Sequence, residues 1–207
     1  LSDGCHRRPV RAVSVVAVVF PPVGFPEAVV DLAAAARRGT GDMAIKRILR
    51  HLLLPRWWAH RVWSAAAGTD VARAIQASEA HHRGELRVVV EGPLPWQALW
   101  LGQTARQRAL DLFSLWRVWD TEENTGILIY VQLVDRRVEI LADRGIASRV
   151  PPSAWDALCR KIETAFRDGR GSAGVCAAVA QAGQLLATHF PTGPDNPDEL
   201  PDAPVLL

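Results

Sequence analysis

The sequence predicts an α/β fold, a three-layer α/β/α sandwich around a mixed sheet. Three observations carry this expectation. Residues 85–91 are a β-branched run, Leu86, Arg87, Val88, Val89 and Val90 between two glutamates, bounded by Gly84 and by the loop Gly92-Pro93-Leu94-Pro95. Residues 127–134 and 138–142 are two further apolar runs separated by a turn at Asp135-Arg136, which reads as a hairpin. Helical patterns lie between the first strand and the hairpin and on both sides of them. A strand–helix–strand crossover is right-handed, so the first two strands run parallel and the hairpin adds an antiparallel third. Such a sheet needs cover on both faces, and four helices can supply it.

Each element has a local reason. Val71, Ala74, Ile75 and Ser78 share one face of a helix that Thr69 or Asp70 would cap and that runs to about residue 82. After the first strand, Ala98, Leu101, Ala105, Ala109, Leu112, Phe113 and Trp116 recur at spacings of three and four, predicting one long helix over 96–119. Pro151-Pro152 open a third helix with Trp155, Leu158, Ile162, Ala165 and Phe166 on its apolar face. A fourth carries Val175, Ala178, Val179, Ala182, Leu185 and Leu186 after the break at residues 169–171. The main domain is thus expected over 68–190. A Pro- and Asp-rich tail, 191–207, is expected to be extended or disordered.

Two segments precede that domain. The chain begins at Leu1 and its one methionine is Met43. Residues 1–42 are rich in Ala, Val, Arg, Pro and Gly without helical period, and are expected to be a translated upstream stretch or a disordered extension. Arg7, Arg8 and Arg11 before an apolar run also give them the outline of a weak signal peptide. Residues 43–67 form a basic amphipathic segment. Ile45, Ile48, Leu49 and Leu52 follow helical spacing, Lys46, Arg47 and Arg50 take the other face, and Pro55 ends the helix. One reading is a peripheral contact with anionic lipid through Lys46, Arg47, Arg50, Arg56, Trp57 and Trp58, since basic residues and tryptophans suit the headgroup zone. The other is a short helix that simply packs on the domain.

Charge narrows the function classes. Residues 1–63 hold ten Arg and Lys against four acids, whereas the rest hold fourteen against eighteen. An acidic body repels phosphate backbones, so no nucleic-acid partner is expected for the main domain. The three cysteines (Cys5, Cys159, Cys176) form no CxxC pair and fit reduced thiols in a cytoplasmic protein.

The parallel-then-hairpin topology gathers the N-terminal ends of the first two strands and the C-terminal end of the third at one edge. His81, His82, Glu85, Asp120, Glu122, Glu123, Asn124, Asp143 and Arg144 belong there. Asp120, Glu122, Asn124 and Asp143 offer the oxygen donors that a hard cation such as calcium takes. Asp120-x-Glu122-x-Asn124 is similar to part of an EF-hand loop, but Val131 stands where that loop needs its bidentate Glu. The competing reading is a solvated acidic loop, with His81-His82 a helix-end pair and Asp143-Arg144 a structural turn. Motifs for a nucleophile elbow, a phosphate-cradling loop or a zinc protease are absent from the sequence.

Gly84 to Val90, then Asn124-Thr125-Gly126 with Ile127 to Val131, then Asp135-Arg136 with Val138, Glu139 and Ile140, and finally Gly145-Ile146 resemble the TPM domain family, in spacing as well as in type. The resemblance runs from about 70 to 189 and points to a bacterial member. It implies an α/β/α sandwich, calcium at the strand edge, and either acid phosphatase activity, attributed to a plant relative, or an accessory role. Accessory relatives serve membrane complexes, photosystem II repair and a receptor among them. Two departures fall at that edge: Glu123-Asn124-Thr125-Gly126 is one residue longer than the family's Asp-Asn-Gly element, and Asp143-Arg144-Gly145 replaces a Gly-aromatic-Gly. The expected function is a non-catalytic accessory domain that binds a divalent cation and a protein partner at or near a membrane. It would be cytoplasmic and peripheral on the inner membrane. The alternative is a slow metal-dependent acid phosphatase acting on phosphomonoesters.

Overall fold

The computed structural model describes residues 13–14, 18–19, 40–193 and 199–207, with side chains over 44–193 and 199–207. The helix-forming segments in chain order are α1 (Thr40–Leu53), α2 (Arg56–Val62), α3 (Ala65–Glu79), α4 (Trp96–Trp100), α5 (Ala105–Leu115), α6 (Arg144–Ala147), α7 (Pro152–Arg167) and α8 (Gly171–His189). The strands are β1 (Val13–Ser14), β2 (Val18–Val19), β3 (Glu85–Glu91), β4 (Gly126–Gln132), β5 (Arg137–Ala142) and β6 (Val205–Leu206). They make one sheet in the order β1-β5-β4-β3-β6, with β2 also paired to β5. No described helix is long and apolar enough to cross a membrane.

The predicted crossover and hairpin are both present. β3 runs parallel to β4, with Glu85 opposite Gly126 and Glu91 opposite Gln132. β5 returns antiparallel, with Ile127 opposite Ala142 and Gln132 opposite Arg137. Arg136 takes a left-handed φ of 53° to close the turn.

Strand alternation divides the core in two. Leu86, Val88 and Val90 with Ile127, Ile129 and Val131 face α3, α7 and α8, where Val71, Ile75, Trp155, Ile162, Val179 and Leu186 bury. Val89, Leu128, Tyr130 and Leu141 face the opposite way onto Ala109, Leu112 and Phe113 of α5. Both faces are covered, which is why the strands read as near-continuous apolar runs, and helices on both sides of a mixed sheet make the α/β/α sandwich. A fully buried Ile or Leu contributes about 1.5–3 kcal/mol, so this two-sided burial dominates the stability.

Four differences from the sequence reading have physical causes. The first main-domain helix begins earlier, because Ser64, not Thr69 or Asp70, accepts from Ala67 N at 3.2 Å; Thr69 instead donates back to Ala65 O. The long helix expected over 96–119 is two helices: Gly102 adopts φ 62° and Thr104 with Gln107 forms a capping box that restarts the chain. The apolar spacing carried across that break and concealed it. Pro55 ends α1 as expected, but α2 follows at once. The C-terminal tail ends as a strand, β6, paired parallel with β3 at Val89 and Val90.

The expectation for residues 1–42 falls almost wholly outside the described residues. Within 1–42 the described residues are Val13–Ser14 and Val18–Val19, which pair with β5, and Thr40–Asp42, which open α1. Cys159 and Cys176 are free thiols, and burial pushes Cys159 up to about 12, an inert core group. Cys5 lies outside the described residues.

Candidate functional site

The parallel pair and the returning hairpin place three loops at one end of the sheet. Glu85 N donates to Thr125 O at 3.1 Å, Asp143 N donates to Gly126 O at 2.9 Å, and Gly145 N donates to Asn124 O at 3.1 Å. These bonds join 83–85, 121–126 and 143–145 into one cluster. Its centre is the turn before β4. Thr121 Oγ1 accepts from Thr125 N at 2.9 Å, and Thr125 Oγ1 donates to Arg83 O at 3.0 Å. Asn124 sits at φ 56°, a left-handed conformation that Asn tolerates better than most side chains. A Cβ on Gly145 would lie 2.6 Å from the carbonyl oxygens of both Glu123 and Asn124, so glycine is required for the loops to close.

Asp143 is the chemically distinctive group of this cluster. Its residue is only 5% exposed. One carboxylate oxygen accepts from Arg144 N at 2.6 Å and caps α6, while Oδ2 is buried with no hydrogen-bond partner. Burial raises its pKa above the ordinary carboxylate value, against the opposing pull of the Arg144 amide and charge.

The other residues expected at this edge are distributed unevenly. Asp120 is exposed and lies 3.8 Å from Arg117. Glu122 is exposed, and its amide donates to the Glu199 carboxylate at 3.2 Å. Glu123 pairs with Arg83. Glu85 is buried and accepts from Leu200 N at 3.1 Å. His81 bonds Ala77 O on its own helix end, and His82 is buried between Ser78 Oγ and Gly84 N. Burial lowers His82 to about 4, so it is neutral at pH 7. Among the described residues no group of three or more His, Cys, Asp and Glu side chains is arranged to hold a metal ion. The structure therefore joins the loops of Asn124 and Asp143, with backbone carbonyls of 123 and 124 alongside, and leaves Asp120 and Glu122 on the outside of the turn. Sequence reasoning missed Thr121, and named Thr125 and Gly145 for the family resemblance without assigning them the role of holding the loops. The Thr-x-x-x-Thr spacing ahead of Gly126 was the available signal.

The basic segment is likewise resolved residue by residue. Arg47 turns inward: its guanidinium bonds Asp135 at 2.7–3.1 Å and Gln103 O at 2.7 Å. His51 is buried, with Nε2 3.0 Å from Asp135 Oδ1 and Nδ1 accepting from Leu94 N at 2.9 Å. Burial alone would raise Asp135, but the His51 and Arg47 hydrogen bonds and charges prevail and hold it at about 2. Trp58 is half-buried against the core. Arg50, Arg56 and Trp57 are exposed, Lys46 is half-buried, and Arg61 stacks 5.8 Å from the Trp57 ring.

No curated protein matches the chain. Among solved structures, the NMR structure of BA42 protein from the psychrophilic bacterium Bizionia argentinensis is similar, at 29% identity and a TM-score of 0.62, covering 70% of this chain and 94% of that one. Residues 60–185, more than half of the sequence, match the TPM domain. The chain belongs to the TPM domain family.

Proposed function

We propose that this TPM domain is a non-catalytic accessory module that holds a divalent cation at the loop edge and serves a membrane-associated complex from the cytoplasmic side of the inner membrane. The observation that supports the cation is the unpartnered, buried Oδ2 of Asp143. Leaving a buried carboxylate oxygen unsatisfied costs about 1–3 kcal/mol or more, a cost that a bound cation would offset. The donors are oxygens only: Asp143, Asn124 and neighbouring carbonyls, with Asp120 and Glu122 adding negative potential from the same turn. That set fits calcium, which accepts carboxylate, amide and backbone oxygens together. When bound, the ion supplies charge neutralisation; the protein's part is to fix the loops through Thr121, Thr125 and Gly145.

A calcium-titrated thermal melt tests this. At a concentration a hundredfold above the dissociation constant, binding adds roughly 2.7 kcal/mol of stability. EDTA reverses the gain and Asp143→Asn abolishes it. A melt that stays flat through millimolar calcium and magnesium would remove the cation from the proposal. The phosphatase alternative draws on the raised pKa of the same carboxyl, which suits acid–base work on a phosphomonoester in the acid range. Turnover of a phosphomonoester that requires Asp143 would replace the non-catalytic reading.

A further inference from the structure

We propose that α1 and α4 together form a docking surface for an anionic lipid bilayer, with α1 presenting its apolar stripe to the membrane. The inference deepens the peripheral-membrane part of the reading above and is independent of cation binding. A helix lying on a globular body ordinarily turns its apolar stripe inward. In α1 the arrangement is reversed. Arg47 and His51, one turn apart, face the body and fasten the helix to Asp135 of the hairpin turn. Of the aliphatic residues, Ile48 packs on the small cluster of Leu94, Ala98 and Leu99 beneath α4.

The opposite stripe, Ile45, Leu49, Leu52 and Leu53 at helical spacing, points away from those contacts. Ile45, Leu52 and Leu53 are 52%, 63% and 50% exposed. Trp57 follows just past Pro55 at 58%, and α4 adds Trp96 at 63% with Trp100 and Leu101 at 80% each. Large apolar side chains held outward at this density on two packed helices mark an interaction surface.

Charge selects the occupant. No Asp or Glu occurs from Met43 to Thr69, and Arg50, Arg56 and Arg61 are exposed within that span. A second copy of the chain meeting this face would set those cations against each other, whereas an anionic headgroup layer is complementary to them. Tryptophan beside arginine is the composition of the bilayer interface. α1 lies ahead of the residues matched to the family, whereas α4 lies within them.

Co-sedimentation of the full chain with phosphatidylglycerol–phosphatidylcholine vesicles tests the proposal. Binding is expected to exceed that to pure phosphatidylcholine, to weaken in 0.5 M salt by roughly the loss of surface attraction, and to fall about tenfold or more in L52S/L53S. Leu115→Ser, an exposed apolar residue on α5, is the matched control and leaves binding unchanged. Thermal melts of the same variants confirm that they fold. The proposal is overturned if L52S/L53S binds like the parent, if no vesicle binds, or if the lipid-free chain self-associates through Leu52 and Leu53. Asp143→Asn keeps vesicle binding, so loss of the cation reading would leave this one standing.

Discussion

Two buried carboxylates at opposite ends of the sheet, Glu91 and Asp143, are treated in opposite ways. At the end where β3 and β4 finish, Glu91 is 1% exposed and fully engaged: Arg108 grips it at 2.7–3.2 Å and Tyr130 donates to it at 2.6 Å. Asp135, in the hairpin turn at that end, is as completely held by Arg47 and His51. At the other end Asp143 keeps one oxygen without a partner. Glu139, in the middle of the sheet, shows a third solution: both its oxygens lack hydrogen bonds and burial pushes it up to about 7, so it carries a proton through the acid range. A carboxylate paired within the fold is structural. A carboxylate oxygen left unpaired and buried at a loop edge is an exception that asks for an explanation, and the proposed cation is the one offered above.

The largest expected effect breaks the engaged end. Arg108→Ala strands Glu91 as an uncompensated buried charge and costs roughly 3–5 kcal/mol, read as a lowered urea midpoint with unchanged slope. An effect below about 1 kcal/mol would show that Glu91 is solvated or protonated, and the contrast between the two ends would fail. Next comes Asp135. Its folded pKa of about 2 lies below the unfolded value near 3.8. A depressed carboxyl stabilises above the unfolded pKa and loses that contribution as pH falls through the folded one. The chain should therefore lose about 2 kcal/mol from this group between pH 4 and pH 2. Stability measured against pH should lack that component in Asp135→Asn, and identical curves would refute the assignment. The smallest effect has the opposite sign. Asp143 has a raised folded pKa, so its ionised form disfavours folding at neutral pH. Metal-free Asp143→Asn should be neutral or more stable by up to about 1 kcal/mol in a denaturant titration. A clear loss of stability without metal would show that the ionised Asp143 carboxylate is stabilised by the Arg144 amide and charge rather than left in want of a partner, and would close the comparison.

The fold was legible because its signals are local and periodic. Three valines in β3, the hairpin runs and the apolar faces of α7 and α8 each state their own geometry. The break between α4 and α5 was legible in principle, through Gly102 and the Thr104–Gln107 box, but an uninterrupted apolar spacing outweighed it. The candidate site was legible as a neighbourhood: topology alone brings residues 120–126 to residues 143–145. Which members of that neighbourhood turn inward was not. Asp120 and Asp143 are the same residue type at the same edge, yet one is exposed beside Arg117 and the other is buried under its own loop.

The amphipathic segment divides the same way. Its composition, five cations, no acid and three tryptophans over residues 44–63, is fixed by the sequence, and so is the helical spacing of its apolar residues. A periodic stripe states that a helix has two faces, but not which face meets the body. That choice was made by Asp135, 88 residues beyond Arg47, whose buried charge required the cation and the imidazole that α1 could bring. Pairing a buried charge outweighs burying a few leucines, so the polar face docked and the apolar stripe was left outward. Periodicity is a property of neighbouring residues and can be read along the chain; satisfaction of a buried charge depends on distant ones and exists only once the chain has folded.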